Sequence, residues 1–229
     1  MDSNWIKSIA LEEGVSLVGI ADISDVDDRP YPEMKRALVV AVRLSDAIFD
    51  EVKGGLIPTH AYFHQYRTTN AFIDQALYRV GLKIQARGYR VVQVAASQSI
   101  SKNGNGYQAL FSHRAAAIRA GLGWIGKSNA LVTKEFGPRV RLGTLMIEAP
   151  LEADQPMWES SCGSCSVCVE ACPAYALTGE TFVKGISREL IVDVRACGEH
   201  MHAAYQHIGR GVVCGICIAT CPMGNQRNR

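Results

Sequence analysis

This 229-residue chain has no cysteine before Cys162, which is the first of eight. The part before them must therefore fold on an ordinary apolar core, without disulfides or thiolate-bound metal. The remaining segment is short, and a chain of fewer than about 80 residues rarely folds stably without staples such as metals. We predict an α/β front domain at residues 1–150 and a metal-stabilised domain at residues 157–229.

The chain also lacks a charge excess and any long apolar run. Its 24 Lys and Arg against 22 Asp and Glu leave a net charge of +2, too little for binding nucleic acid by bulk charge. The longest clean apolar run, at residues 37–42, is far short of the roughly 20 residues that a membrane span needs. The N-terminal segment has no signal-peptide architecture. We expect a cytoplasmic protein with neither a membrane nor a nucleic-acid partner.

The cysteines fall into two runs with related spacing. Residues 162–173 read C-x2-C-x2-C-x3-C-P, the bacterial ferredoxin pattern for a 4Fe–4S cluster. Residues 214–222 repeat the C-x2-C-x3-C-P part, with Gly211 where a first cysteine would stand. Cys197 is the cysteine left to supply the missing thiolate.

Eight thiolates supply four ligands to each of two clusters. In ferredoxins with two clusters, the last cysteine of a run ligates the other cluster. This crossed pattern predicts one ligand set of Cys162, Cys165, Cys168 and Cys221, and another of Cys172, Cys197, Cys214 and Cys217. Disulfides would need an oxidising compartment. Structural zinc accepts C-x2-C pairs but does not require this longer register, so two 4Fe–4S clusters are favoured.

Upstream of the cysteines, helical and strand patterns alternate, which predicts an α/β or α+β front domain. A first predicted helix begins at a cap on Asp2 or Ser3. Further predicted helices cover residues 60–86, as one helix or two, and residues 112–120. Predicted strands cover residues 15–21, 37–42, 89–95, 130–133 and 140–148. The second strand is apolar on both faces and should lie inside its sheet. Residues 101–106 suggest a flexible loop, and residues 150–156 a linker.

Residues 121–128 match two nucleotide-binding patterns, G-x-G-x-x-G and G-x4-G-K-S. Both motifs need a strand before the glycines and a helix after them, because the phosphate binds at the helix N-terminus. Here a predicted helix precedes the glycines and a predicted strand follows. Nucleotide hydrolysis therefore stays a minor alternative. The glycines either permit a tight turn or allow close approach to a cofactor.

This stretch and its surroundings resemble the cobalamin-binding reductases, namely epoxyqueuosine reductase and the reductive dehalogenases. The resemblance runs straight into the double-cluster module and covers residues 60–224. The matching segments are Tyr66-Arg67 with Asn70, Ser112-His113-Arg114, residues 120–127, residues 136–142 and Pro150-Leu151.

The resemblance implies a nitroreductase-like α/β domain that holds base-off cobalamin against the nearer of two clusters. Electrons from an external donor of the ferredoxin or flavodoxin type would pass through the clusters to make Co(I), which reduces a small molecule or a tRNA base. The candidate cofactor-binding residues are Gly121, Gly123, Trp124, Gly126, Lys127, Ser128, Arg139 and Arg141. The main alternative is an electron carrier or reductive activator that docks a partner protein and has no cobalamin of its own.

The chain departs from epoxyqueuosine reductases in two respects. The residues up to Arg229 include no helical-repeat extension of the kind that helps epoxyqueuosine reductases hold tRNA. Tyr107 stands where those enzymes carry a catalytic aspartate. These departures predict a short branch in which Tyr107 donates the proton, assisted by His113 or Lys127. The structural alternatives are packing for Tyr107, a hydrogen bond for His113, and solvation or salt bridges for Lys127, Arg139 and Arg141.

Overall fold

A computed structural model describes residues 1–26, 29–102, 105–209 and 213–224, so Gly211 lies outside the described residues. The chain forms two compact units, each assembled from separate segments. Unit 1 comprises Met1–Arg43, Thr69–Gly123 and Arg141–Met157, and unit 2 comprises Leu44–Thr68, Trp124–Val140 and Trp158–Arg229. The division into folding domains at residues 1–150 and 157–229 stays a prediction. What the structure adds is that two upstream segments share a compact unit with the cysteine region.

The described residues mix helices and strands. The helices are α1 Ser3–Glu12, α2 Asp46–Gly55, α3 His60–Gln85, α4 His113–Arg119, α5 Val167–Glu170, α6 Val194–Tyr205 and α7 Ile216–Ala219. The strands are β1 Leu17–Asp22, β2 Arg36–Arg43, β3 Arg90–Val94, β4 Ile100–Lys102, β5 Asn105–Gln108, β6 Trp124–Ile125, β7 Leu131–Val132 and β8 Val140–Glu148. Short 3-10 helices occupy Arg188–Leu190, Gln206–Ile208 and Pro222–Gly224. Within this described part of the chain, no helix combines the length and apolar character of a membrane span.

Unit 1 is built on a four-stranded sheet with the order β1-β2-β8-β3. β1 and β2 are antiparallel with Gly19 opposite Val39, and β3 and β8 are antiparallel with Val92 opposite Met146. β2 therefore lies inside the sheet, which confirms the prediction made from its two apolar faces.

The core of unit 1 lies between the sheet and helices α1 and α3. Ile6 of α1, Leu38 of β2 and Leu77 of α3 belong to one buried apolar cluster. Full burial of such a side chain is worth about 1.5–3 kcal/mol. α3 approaches β8 closely, since a Cβ on Gly143 would clash with a methyl group of Ile73. The predicted helix at residues 60–86 is thus one unbroken helix, whose second half buries its apolar face against the sheet.

Two predicted irregular segments are more ordered than their composition suggested. β4 and β5 pair antiparallel, with Ile100 opposite Gln108. The loop predicted over residues 101–106 was therefore wrong at residues 101–102 and 105–106, where strand pairing overrides a composition rich in Asn, Gly and Ser, whereas residues 103–104 lie outside the described residues. The predicted linker at residues 150–156 has no regular secondary structure but is held in unit 1. The Asp154 carboxylate accepts hydrogen bonds from the Ile20 amide at 2.8 Å and from Lys7 Nζ at 2.6 Å.

His113 is fixed in unit 1 by hydrogen bonds to both ring nitrogens. Ser112 caps α4 by accepting from the Ala115 amide. Nε2 of His113 lies 3.0 Å from the Ala95 carbonyl oxygen, and Nδ1 lies 2.8 Å from Thr144 Oγ1. Because a carbonyl oxygen can only accept, Nε2 must carry the proton, and Nδ1 of the neutral ring accepts from the threonine hydroxyl. Burial lowers the pKa of His113 below its ordinary value of 6.5.

This arrangement predicts that acid destabilises the protein through His113. The folded-state pKa is depressed, so the unfolded chain takes up a proton first as the pH falls, and folded-state stability is lost below about pH 6.5. In His113→Gln, this part of the acid dependence should disappear. The control His60→Gln changes an exposed histidine at the start of α3 and should keep the dependence. Thermal midpoints of the anaerobic holoprotein between about pH 7.5 and 5.5 measure it; an unaltered slope in His113→Gln would exclude this role.

Candidate metal centre

Short helices in unit 2 carry three of the predicted ligands. Cys168 lies on α5, Cys217 lies on α7, and Cys197 lies one turn into α6. The start of α6 is fixed by Asp193, whose carboxylate accepts from the amides of Arg195 and Ala196, both at 2.9 Å. Such caps satisfy amide groups that the helix itself leaves unpaired. Cys197 is therefore presented from a stable helix end, although it belongs to neither cysteine run.

The eight thiols form two neighbouring groups. Cys168 interacts electrostatically with Cys221, Cys162 and Cys165. Cys217 interacts with Cys214, Cys197 and Cys172, and also with Cys168 of the first group. Cys221 interacts with the cysteines of the first run, as the crossed pattern requires, and the assignment of each cysteine to a cluster stays a prediction. We call Cys162, Cys165, Cys168 and Cys221 thiol group 1, and Cys172, Cys197, Cys214 and Cys217 thiol group 2.

The chemistry of these groups fits two 4Fe–4S clusters. Each group offers four thiols, the number of protein ligands that a 4Fe–4S cluster takes. The thiols are neighbours without converging on one point, since no three His, Cys, Asp or Glu side chains of the described residues are arranged to hold a single metal ion. Cluster binding is therefore assigned from the number, spacing and grouping of the thiols.

Burial controls the protonation of these thiols. It raises the pKa of Cys168 and of Cys214 to about 11 and moves that of Cys217 upward as well, and neighbouring thiols add to the rise. Without metal, these three thiols are therefore protonated at neutral pH. Since the thiolate is the species that binds metal, iron must displace protons when a cluster forms.

The two C-G-x-C turns place different demands on their glycines. Gly163, with φ of +53°, has open space where a Cβ would point, whereas Gly215, with φ of +78°, would place a Cβ 2.5 Å from the Tyr62 ring. Tyr62 is buried in an apolar cluster with Phe49 of α2 and Ile216 of α7. The turn of the second run is thus pressed against α3, and only glycine fits there.

The glycine-rich stretch ends in a hairpin. β6 pairs with β7, and the Gly126 amide donates to the Ala130 carbonyl at 2.9 Å. The element that follows the glycines is the strand β7 and not a helix, so these glycines lack the context that phosphate binding requires. A Cβ on Gly126 would lie 3.5 Å from Cys162 Sγ and 2.9 Å from a Val132 methyl group. The third glycine therefore allows close packing against a predicted cluster ligand.

The other two glycines lie in unit 1. Gly121 has φ of +67°, and a Cβ there would lie 2.6 Å from the Gln155 carbonyl oxygen. Gly123 is buried. The space at Gly121 is thus occupied by the backbone of the chain itself, as a tight turn requires.

The two predicted cofactor-binding arginines are engaged by protein groups. Arg139 is 1% exposed and donates to Asp46 Oδ1 at 2.8 Å and to the Ala219 carbonyl at 3.5 Å. Arg141 donates to Asn70 Oδ1 at 2.8 Å and lies in unit 1. Lys127 and Ser128 are half-buried in the turn between β6 and β7. A role for any of these residues toward a cofactor stays a prediction, and the contacts of Arg139 and Arg141 support the salt-bridge and hydrogen-bond alternatives.

Tyr107 and His113 are the predicted catalytic pair. Tyr107 belongs to β5 and is 41% exposed, so it is held on a strand and not in a loop. Both ring nitrogens of His113 are occupied by structural hydrogen bonds, which supports the structural alternative. Proton donation by Tyr107 stays a prediction.

Sequence reasoning missed one aromatic neighbour of thiol group 2. Tyr205 is buried and interacts electrostatically with Cys214 and Cys172, and burial raises its pKa. Its hydroxyl lies 3.4 Å from His200 Nε2. Tyr205 follows Cys197 by about two helical turns on α6, so the helical spacing contained a signal that both residues face the same side.

These features define an iron–sulfur protein. Residues 161–224 match the family of the 4Fe–4S double cluster binding domain, a range that contains all eight cysteines. The chain therefore has a domain for two 4Fe–4S clusters, as its cysteine spacing predicts.

Sequence relatives of the chain are epoxyqueuosine reductases. The protein from Vibrio cholerae is 28% identical over 182 residues, which cover 72% of this chain and 43% of the relative. The protein from Lactococcus garvieae is 39% identical over 110 residues, which cover 47% of this chain and 30% of the relative. The chain thus matches less than half the length of either relative.

Solved structures show the same fold. A catabolic reductive dehalogenase in complex with 3-bromo-4-hydroxybenzoic acid matches with a TM-score of 0.73 and 18% identity, over 96% of this chain and 31% of that one. An epoxyqueuosine reductase bound to a modified tRNA-Tyr stem loop matches with a TM-score of 0.64 and 17% identity, over 99% and 66%. The resemblance to both groups, and the mixed α and β fold that it implied, are therefore confirmed.

The crossed grouping predicts the effect of Cys221→Ala. Although Cys221 is close to Cys217 along the chain, its loss should alter the spectrum of the cluster bound by Cys162, Cys165 and Cys168. Cys172→Ala should alter the other cluster. Electron paramagnetic resonance of the reduced variants, compared with Cys165→Ser and Cys217→Ser as markers for each cluster, distinguishes the signals. The crossed assignment fails if Cys221→Ala changes only the signal that Cys217→Ser changes.

The two turn glycines supply a matched pair of substitutions. Gly163→Ala adds only backbone strain, about 1–2 kcal/mol. Gly215→Ala adds that strain and a methyl group inside the Tyr62 contact, for a total of about 2–5 kcal/mol. The thermal midpoint and iron retention of the anaerobic holoprotein should therefore fall further for Gly215→Ala. Equal losses in both variants would show that the Tyr62 contact does not constrain the second run.

Proposed function

We propose that this protein is an iron–sulfur reductase that accepts single electrons from an external donor and passes them through two 4Fe–4S clusters to a reducible centre. The observation that carries the proposal is the pairing of two four-thiol groups, linked by the electrostatic interaction between Cys168 and Cys217. These two thiols lie on α5 and α7, which pack against each other. Two clusters held side by side form a short path for electrons.

Cobalamin is the electron acceptor that we propose. Support comes from the shared fold with a reductive dehalogenase described in connection with B12-dependent dehalogenation. Bound cobalamin would supply a metal-centred reductant for the substrate. Lys127 and Ser128 fit a group close to thiol group 1, because their turn begins at Gly126, beside Cys162. Arg139 and Arg141 do not fit such a role, since each is already hydrogen-bonded within its own unit.

For the substrate, we propose a small molecule or a tRNA base. The two structural neighbours support one class each, a halogenated aromatic acid and a modified tRNA stem loop. The near-neutral charge argued against bulk binding of nucleic acid, but recognition of one modified base does not depend on bulk charge, so tRNA remains within the proposal. The proposed electron donor is of the ferredoxin or flavodoxin type. We also propose a cytoplasmic location, because reducing compartments keep such thiols from forming disulfides.

The second candidate function is that of an electron carrier or reductive activator without cobalamin. The internal contacts of Gly121, Arg139 and Arg141 favour it, because three positions predicted to contact a cofactor are filled by the protein itself. In that case, the front part of the chain would bind a partner protein.

Anaerobic purification from a cobalamin-supplied host separates the two functions. The proposal predicts about one corrinoid per chain, retained at full cluster content.

Tyr107→Phe should keep the clusters and the corrinoid but lower turnover at least tenfold, about 1.4 kcal/mol on the barrier, because the phenol would supply the proton. Tyr89→Phe serves as a control tyrosine outside the predicted site. Full clusters with no corrinoid would favour the carrier, and unchanged turnover in Tyr107→Phe would leave Tyr107 a packing residue.

A further inference from the structure

The indole of Trp124 is buried without a hydrogen-bond acceptor. Its side chain is 3% exposed, and Nε1 has no partner among the described residues. Buried indole N–H groups almost always find an acceptor. The hydroxyl of Ser160 and Gln65 Oε1 are likewise buried without a partner in the described part of the chain, so neither of them accepts from Trp124. The acceptor therefore lies outside the described residues, and a bound group can supply it.

The hairpin geometry shows on which side the indole lies. Trp124 is directly opposite Val132 in the β6–β7 ladder, and the hydrogen bond from Gly126 to Ala130 extends that ladder by one residue pair. Residues two apart on a strand share a face, as do directly opposed residues. Trp124, Val132 and the empty side-chain position of Gly126 therefore share one face of the hairpin.

Cys162 lies on this face. The side-chain position of Gly126 is 3.5 Å from Cys162 Sγ and 2.9 Å from Val132 Cγ2. All of these residues belong to unit 2. The first ligand of thiol group 1 and the tryptophan with the unpaired indole N–H are thus on the same side of a two-stranded hairpin, about two residue pairs apart along the ladder.

We propose that Trp124 donates its indole N–H to a sulfur of the 4Fe–4S cluster bound by thiol group 1, either a cluster sulfide or the Cys162 thiolate. Hydrogen bonds to the sulfurs are among the factors that set the reduction potential of such clusters. The donor stabilises the more negative, reduced cluster, so it raises the potential of this cluster and leaves the other unchanged. Trp124 is a positioning and tuning residue and does not touch the substrate. The inference requires bound clusters but not cobalamin.

A spectroscopic test needs no substitution. The protein is prepared anaerobically with tryptophan labelled with ¹⁵N at the indole, reduced with dithionite, and measured by hyperfine sublevel correlation spectroscopy. The reduced cluster of thiol group 1 should show coupling to an indole ¹⁵N. The coupling should vanish in Trp124→Phe and persist in Trp158→Phe, which removes an indole close to Cys162 in sequence. Absence of indole coupling in the unsubstituted protein would overturn the proposal even if Trp124→Phe fails to fold.

Redox titration supplies a second readout. Trp124→Phe keeps an aromatic ring but removes the N–H, and we expect the equilibrium constant for one-electron reduction of one cluster to fall roughly two- to tenfold, where tenfold equals about 59 mV. The signal that shifts should be the one that Cys165→Ser also alters. Trp5→Phe, in unit 1, is the matched control and should shift neither potential. Full iron content with both potentials unchanged in Trp124→Phe would contradict the hydrogen bond.

Discussion

Bonding between iron and half-buried cysteine thiolates is the interaction on which the cysteine region depends. Burial and mutual repulsion raise the pKa values of Cys168 and Cys214 to about 11, so these two thiols are neutral until metal replaces their protons. The helices that carry Cys168 and Cys217 have only four residues each, too few to be stable alone. The clusters therefore supply order that secondary structure and the apolar core of this region do not, and their loss should loosen this region first.

The cysteine region also depends on upstream segments of the same unit. Tyr62 and Phe49 pack against α7, and buried Arg139 joins Asp46 to the Ala219 carbonyl just before Cys221. A buried guanidinium is costly unless it is paired and hydrogen-bonded, so this network fixes one arrangement of the second run. The hairpin with Gly126 does the same beside Cys162. Both thiol groups are thus held by chain segments that precede them by tens of residues.

The sequence predicts those features that local spacing determines. The cysteine register identified two clusters and predicts the crossed ligand sets, and apolar periodicity located α1, α3, the interior strand β2 and β8. It did not predict the β4–β5 hairpin, the pairing of Arg139 with Asp46, or the second hydrogen bond of His113 to Thr144. The last two depend on partners distant in sequence, which no local pattern specifies, and the first was missed because the composition of residues 101–106 favours a loop over strand pairing. The sequence places Gly215 between two cysteines, and only the position of Tyr62 shows why no other residue fits there.

The account rests on two clusters held by all eight cysteines. The most direct measurement is quantification of iron, acid-labile sulfide and zinc in the anaerobically reconstituted protein, together with its Mössbauer spectrum. Two 4Fe–4S clusters predict about eight iron and eight sulfide per chain, negligible zinc, and iron signals of cubane clusters only. Four iron per chain, or stoichiometric zinc without sulfide, would contradict the account.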